Sequence, residues 1–119
     1  MQSFDTRDPK LQHMTSKEQI ITVGRLDDIP LGQCATFELE DGRELAIYNV
    51  NGEFYATGNF CPHKGAPLAE GRLCGYVIEC ALHGWQFDVR TGEGIIVNEP
   101  VESYAVMVED DVVRVIVPS

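Results

Sequence analysis

The sequence predicts an all-β fold, an antiparallel β sandwich, on three observations. Short runs rich in β-branched and aromatic residues recur along the 119-residue chain and are separated by turn-forming residues. Asn51-Gly52 stands between two such runs, as expected of a two-residue hairpin turn, and Asp110-Asp111 stands between the last two. No stretch keeps the helical period of an amphipathic helix.

Each predicted strand is bounded by residues that favour turns. The first run, Ile-Ile-Thr-Val, is β-branched and is followed by a loop or single turn over residues 26–30. The second run alternates between apolar and polar residues and ends at a turn over 40–42, and the third and fourth flank Asn51-Gly52. Residues 66–70 are expected to form at most one helical turn, and Thr91-Gly92 turns the chain again. The predicted strands are 19–23, 34–39, 44–50, 54–57, 76–80, 85–89, 104–109 and 112–117.

The first residues are polar and lack periodicity, so residues 1–15 are predicted to be a flexible tail and 16–119 a single domain. If Met14 is the natural start, residues 1–13 are an extension. The sequence contains no apolar run long enough to span a bilayer and no signal peptide, so we expect a soluble, cytoplasmic protein.

The net charge of −10 restricts the partners. Nucleic acid and anionic membranes are excluded because binding to phosphate needs a basic surface. An acidic surface can steer the protein towards a basic patch on a redox partner, or it can simply favour solubility. The acidic residues at 38–41 and 109–111 are predicted to lie in solvated turns.

Two short segments each combine one cysteine with one histidine. They are Cys61-Pro-His63 and, after sixteen intervening residues, Cys80-Ala-Leu-His83. A glycine follows each histidine within two residues and allows a tight loop. Two thiolates and two imidazoles are the ligand set of a [2Fe–2S] cluster in which two cysteines bind one iron and two histidines bind the other.

A structural zinc site uses the same types of ligand and remains an alternative. Zinc modules usually pair cysteine with cysteine and histidine with histidine at short spacing, whereas each segment here mixes the two types. The mixed pairs therefore favour an iron–sulfur site over a zinc-stabilised interaction module. A chance grouping of core thiols and surface imidazoles is the other alternative.

Residues 61–93 resemble the cluster-binding half of a Rieske-type ferredoxin, the ferredoxin component of bacterial ring-hydroxylating dioxygenase systems. Besides the four ligands, the match includes Gly84-Trp-Gln-Phe87 and Asp88-Val-Arg-Thr-Gly92, and it extends over about residues 19–118. The resemblance implies a β sandwich with a small inserted cluster-binding subdomain at about residues 59–90. It also implies one Rieske [2Fe–2S] cluster per chain, with Cys61 and Cys80 on one iron and His63 and His83 on the other.

The resemblance implies an electron carrier, not an enzyme. Such a ferredoxin is a monomer that takes single electrons from an NAD(P)H-dependent flavoprotein reductase and passes them to a terminal oxygenase in the degradation of aromatic compounds. The sequence agrees, because it has no glycine-rich dinucleotide fingerprint. Once His63 and His83 are used, only His13 remains, which is one histidine too few for a mononuclear iron triad. The alternative is a Rieske-like small subunit of an assimilatory nitrite reductase. A high-potential respiratory subunit is disfavoured.

Two departures from the high-potential members of the family predict a low reduction potential. Those proteins carry an additional cysteine in each loop, where this chain has Ala66 and Leu82. They also carry a serine and a tyrosine whose hydroxyls donate hydrogen bonds on the cluster side, where this chain has Trp85 and Phe87. Fewer donors stabilise the added electron less, so we expect a potential towards the bottom of the range of about −150 to +300 mV.

The other cysteines and the third histidine are predicted to have no part in the site. Cys34 and Cys74 are expected to be small, half-buried thiols that stay reduced in the cytoplasm. His13 lies in the predicted tail and is expected to be solvated. Trp85 and Phe87 are expected to pack in the core.

Overall fold

The computed structural model describes residues 17–62, 65–82 and 84–119, and within these ranges it consists of antiparallel strands and two single turns of 3₁₀ helix. The 3₁₀ turns are Leu26–Asp28 and Leu68–Glu70. The strands are β1 (Glu18–Arg25), β2 (Cys34–Glu38), β3 (Glu44–Val50), β4 (Glu53–Gly58), β5 (Arg72–Cys74), β6 (Val77–Glu79), β7 (Gln86–Asp88), β8 (Gly94–Ile95), β9 (Ser103–Tyr104), β10 (Val106–Glu109) and β11 (Val112–Pro118). The predicted all-β fold is confirmed. The predicted tail and His13 lie outside the described residues, and among those residues no helix is long and apolar enough to cross a membrane.

Two sheets form the base of the molecule. One has the strand order β1-β11-β10 and the other β2-β3-β4-β9. Their facing sides bury alternate residues, as in β11, where Val113, Val115 and Val117 are fully buried and pack in one core with Leu45 and Ile47 of β3. The alternation of β-branched residues therefore places one face of each sheet in the sandwich core.

A third, smaller sheet of order β5-β6-β7-β8 lies in sequence between β4 and β9. Ile78 and Phe87 form its centre, and they share a second core with Tyr48 on the outer side of β3. β3 is thus buried on both faces, which explains why its last six residues are all buried. The small sheet is packed on the base rather than joined to it by backbone pairing.

A polar cluster ties one end of the small sheet to the base. The ring of Tyr76, just before β6, meets the ring of Tyr55 edge to face, with centroids 5.9 Å apart. The Tyr76 hydroxyl donates to Glu53 Oε1 at 3.3 Å, and the Arg90 guanidinium lies over the Tyr76 ring with Cζ 4.1 Å from its centroid. This cluster lies beside the β3–β4 hairpin.

The hairpin predictions agree best with the structure. β3 spans the predicted residues 44–50, and Asn51 and Gly52 both have positive φ, of 54° and 93°, as a two-residue hairpin requires. Asp110 and Asp111 also have positive φ, of 53° and 65°, and join β10 to β11. The predicted strand over 104–109 is interrupted at Ala105, because Tyr104 pairs with β4 whereas Val106 pairs with β11.

The prediction that Cys74 is a half-buried thiol is wrong. Cys74 ends β5, which is an edge strand of the small sheet and was not predicted. Side chains alternate along this strand, so Leu73 points towards the core and Cys74 is exposed. Cys34 is half-buried, as predicted.

Candidate metal centre

The first cysteine opens a tight loop that closes on its own backbone. Cys61 N–H donates to the Ala66 carbonyl at 2.9 Å, and Gly65 N–H donates back to the Cys61 carbonyl at 2.7 Å. Gly65 has φ 72°, a left-handed conformation that favours glycine. Phe60 and Pro67, on either side of the loop, form an antiparallel bridge. The loop therefore returns to its starting point and is held at its base.

The second cysteine opens a loop with the same hydrogen-bond pattern. Cys80 N–H donates to the Trp85 carbonyl at 2.7 Å, and Gly84 N–H donates to the Cys80 carbonyl at 3.1 Å. Gly84 has φ 73°, almost the value of Gly65. β6 leads into this loop and β7 leads out of it. The two segments in which the sequence pairs a cysteine with a histidine thus have the same backbone hydrogen bonds and a glycine of similar φ at the same position.

Both cysteines belong to one apolar core. The exposed fractions of Cys61 and Cys80 are 1% and 2%, and both pack in the cluster that contains Ile78 and Phe87. Phe87 is fully buried, as predicted, and Trp85 packs half-buried against the same core. His63 and His83, the other two predicted ligands, lie outside the described residues.

The side chain of Asn59 holds the first loop to the base, a role that the sequence did not reveal. Asn59 is 1% exposed, and its Oδ1 accepts from Ala69 N–H at 2.9 Å. Its Nδ2 donates to Glu44 Oε1 at 3.0 Å and, more weakly, to Thr36 Oγ1 at 3.4 Å. One amide thereby joins β2, β3 and the 3₁₀ turn after the loop. The only hint in the sequence is a polar residue placed directly before an apolar segment.

Burial raises the pKa of two groups, Cys34 and Tyr48, that pack in or against the same core as Cys61 and Cys80. Desolvation raises the pKa of the Cys34 thiol to about 11, so this thiol stays protonated near neutral pH. Desolvation also raises the pKa of Tyr48, whose hydroxyl shares a hydrogen bond of 2.8 Å with Thr57 Oγ1. Neither group supplies a thiolate or phenolate near the loops at neutral pH.

The donor set fits an iron–sulfur cluster. The two loops have matched backbones, each begins with a buried cysteine, and each carries a histidine two or three residues later in the sequence. Two thiols shielded from water on separate loops are suited to bind one iron between them, and two imidazoles complete the ligand set of a histidine-ligated cluster. Fold and site together define a two-loop iron–sulfur protein.

The chain belongs to the Rieske [2Fe–2S] domain family, whose match covers residues 19–110. It is 44% identical to the ferredoxin component of the p-cumate 2,3-dioxygenase system of Pseudomonas putida. The match extends over 86 residues, which are 70% of this chain and 73% of that protein. The predicted family and the predicted cofactor, a Rieske-type [2Fe–2S] cluster, are confirmed.

Solved structures agree in fold. A chain in a complex of reduced oxygenase and oxidized ferredoxin in carbazole 1,9a-dioxygenase has a TM-score of 0.77 and 35% identity, over 81% of this chain and 91% of that one. A nitrite reductase small subunit from Mycobacterium tuberculosis has a TM-score of 0.79 over 86% of this chain and 97% of that one, but its identity of 20% shows a common fold alone. Because relatives that are matched over 73% to 89% of their own length are ferredoxin components, the chain is an electron-transfer protein rather than an enzyme, as predicted.

Proposed function

We propose that this protein carries single electrons from an NAD(P)H-dependent flavoprotein reductase to the terminal oxygenase of a system that degrades aromatic compounds. The observation that carries the proposal is the pair of matched loops with buried cysteines, in a chain 44% identical to a dioxygenase ferredoxin component. The net charge of −10 adds long-range attraction to a basic partner surface. The protein acts as a cytoplasmic monomer.

Cys61 and Cys80 would hold one iron of the cluster, and His63 and His83 would hold the other. When bound, the cluster accepts and releases one electron at a time. The chain itself supplies the shape of the site: the backbone hydrogen bonds of each loop fix the two cysteines before metal arrives, and the apolar core keeps water from their sulfur atoms. As ligands, the two imidazoles would provide the route by which the electron leaves.

The centre has a low reduction potential. In each loop the position where high-potential relatives carry an additional cysteine holds an apolar residue, Ala66 or Leu82. Phe87 is fully buried and has no hydroxyl to donate to the cluster side, and Trp85 has none either. Fewer donors leave the reduced state less stabilised, which lowers the potential.

The first experiment is visible absorption and low-temperature EPR of the dithionite-reduced protein, with iron and zinc analysis of the same sample. We expect a red-brown protein with about two irons per chain and the low average g value of a histidine-ligated cluster. Cys61→Ser and Cys80→Ser should lose the cluster, and the matched control Cys74→Ser, on the exposed edge strand, should retain it. A colourless protein with one zinc would end the proposal.

The second experiment tests the direction of electron flow. Reduced protein is mixed with the purified terminal oxygenases of the p-cumate 2,3-dioxygenase system and of the naphthalene 1,2-dioxygenase system, because this chain is similar to the ferredoxin components of both. The oxidation of its cluster is followed by stopped flow. Rapid oxidation by at least one oxygenase is expected. Failure with both, or stable co-purification with a large nitrite reductase subunit, would overturn the carrier assignment.

A further inference from the structure

Ile96 has a backbone conformation that its side chain disfavours. Its φ is 77°, in the left-handed region, which is rare for non-glycine residues and a true outlier for a β-branched one. The side chain gains nothing by burial in return, because it is 98% exposed. Such outliers persist only where their surroundings impose them, and they are concentrated at functional sites.

Its neighbours impose the strain. A Cβ on Gly94 would lie 2.5 Å from the Val97 carbonyl oxygen and 2.8 Å from Val97 Cγ2, so the chain makes a very tight turn here. Val97 packs against the core that contains Cys61 and Cys80. With Val97 fixed inwards, Ile96 is held outwards at the tip of the turn.

The turn lies next to both metal-binding loops. Ile95 pairs with Gln86 in the antiparallel small sheet, so Ile96 continues towards Trp85 and the second loop. A few residues later, Pro100 lines a groove of about 580 Å³ together with Pro62 of the first loop. The segment from Ile95 to Pro100 therefore runs from one loop to the other.

Exposed apolar residues are concentrated at this end of the molecule. Leu82 of the second loop is 57% exposed and Phe60, before the first loop, is 47% exposed. Exposed carboxylates of Glu99 and Glu102 follow Ile96 by three and six residues, and Glu102 lines the same groove as Pro62 and Pro100. An apolar centre with a charged rim is the usual anatomy of a protein–protein interface.

We propose that Ile96 is a docking anchor that inserts into an apolar recess on the terminal oxygenase, with Leu82 and Phe60 as flanking contacts and basic groups of the oxygenase facing the acidic rim. This inference rests on the proposed function. It explains why a large aliphatic side chain stands in water at a position that suits glycine. A few anchors of this kind carry most of the energy of an interface.

Ile96→Gly separates docking from folding, because glycine removes the anchor and also relieves the backbone strain. The assay uses whichever of the two oxygenases oxidises the wild-type protein faster. With the reductase present, the KM of the oxygenase for each variant of this protein and the kcat are measured. We expect KM to rise about tenfold for Ile96→Gly and Ile96→Ala, which is typical of losing an interface anchor. Ile96→Met, which keeps an apolar side chain, should stay within about twofold of wild type.

Leu31→Ala is the matched control, because Leu31 is 68% exposed but lies at the far end of the base. The next residue is Gly32, whose N–H donates to the Asn49 carbonyl beside the β3–β4 hairpin. The metal loops follow the other end of β4, so Leu31 lies far from them. The KM for the Leu31→Ala variant should equal that for the wild-type protein. The reduction potential of Ile96→Gly should equal that of wild type, and its unfolding midpoint in urea should be equal or higher.

A KM for Ile96→Gly within twofold of wild type would overturn the docking role, as would an equal loss in Leu31→Ala. A lower unfolding midpoint or a shifted potential in Ile96→Gly would assign Ile96 a structural role instead. If neither oxygenase oxidises the wild-type protein, the proposed function itself has failed, so the two failures are distinct.

Discussion

Replacing Asn59 by alanine should destabilise the protein strongly, because its buried side chain joins the first loop to the base. The substitution removes the acceptor of Ala69 N–H, at 2.9 Å, and the donor to the Glu44 carboxylate, at 3.0 Å. A buried group left without its partner costs about 1–3 kcal/mol. Ala69 N–H loses its acceptor, whereas the half-buried Glu44 is partly hydrated, so we expect a total loss of about 2–4 kcal/mol.

The assay is urea unfolding followed by the visible absorption of the cluster, with all variants compared under one protocol because loss of the metal makes the midpoints apparent ones. At about 2 kcal/mol per molar urea, the Asn59→Ala midpoint should fall by about 1–2 M. The matched control is Thr36→Val, which removes only the 3.4 Å hydrogen bond and should cost under about 1 kcal/mol.

Asn59→Asp refines the test. It keeps an acceptor for Ala69 but places a carboxylate against that of Glu44. Repulsion raises the pKa of the introduced acid, so the loss should be largest near neutral pH and should shrink as the acid becomes protonated at lower pH. Equal midpoints for wild type and Asn59→Ala, or an equal loss in Thr36→Val, would refute the proposed role of this amide.

Three further predictions concern thiols, acid and the aromatic cluster. Iodoacetamide should label Cys74 first, because Cys74 is exposed whereas burial raises the pKa of the Cys34 thiol to about 11. Labelling is measured by mass spectrometry, and equally fast labelling of the Cys74→Ser variant would contradict this prediction. The hydrogen bond from Arg90 lowers the pKa of Asp88, so this pair stabilises the fold above the ordinary aspartate pKa, and the effect is lost as pH falls through the lowered value. Asp88→Asn should therefore lose up to about 1 kcal/mol near neutral pH and converge with wild type in strong acid, as urea titrations at several pH values would show. Tyr76→Phe should cost under about 1 kcal/mol, whereas Tyr76→Ala, which also removes the ring under Arg90, should cost about 2–4 kcal/mol in the same assay.

The sequence predicted best those features that depend on local chemistry. The β3–β4 hairpin is determined by Asn51-Gly52, whose positive φ values few other residues tolerate. The last hairpin follows from two β-branched runs around Asp110-Asp111. The two loops were located because cysteine and histidine at short spacing carry their own chemical meaning.

The features that it missed depend on long-range contacts. β5 and β8 are three and two residues long, and such short strands exist only because β6 and β7 pair with them. The break at Ala105 depends on two different partner strands. Asn59 is a single polar residue, and the three hydrogen-bond partners of its side chain lie 10, 15 and 23 residues away in the sequence.

The small sheet is held to the base at both ends, by Asn59 beside the first loop and by Tyr76 beside the β3–β4 hairpin. Rotation of the small sheet on the base would break both sets of contacts and the shared core between them. These contacts disfavour a swing of the small sheet relative to the base, so the proposed carrier would reach its donor and its acceptor by diffusion of the whole molecule. For such a carrier, encounter with and release from each partner, rather than an internal hinge, would set how many electrons one copy delivers per second.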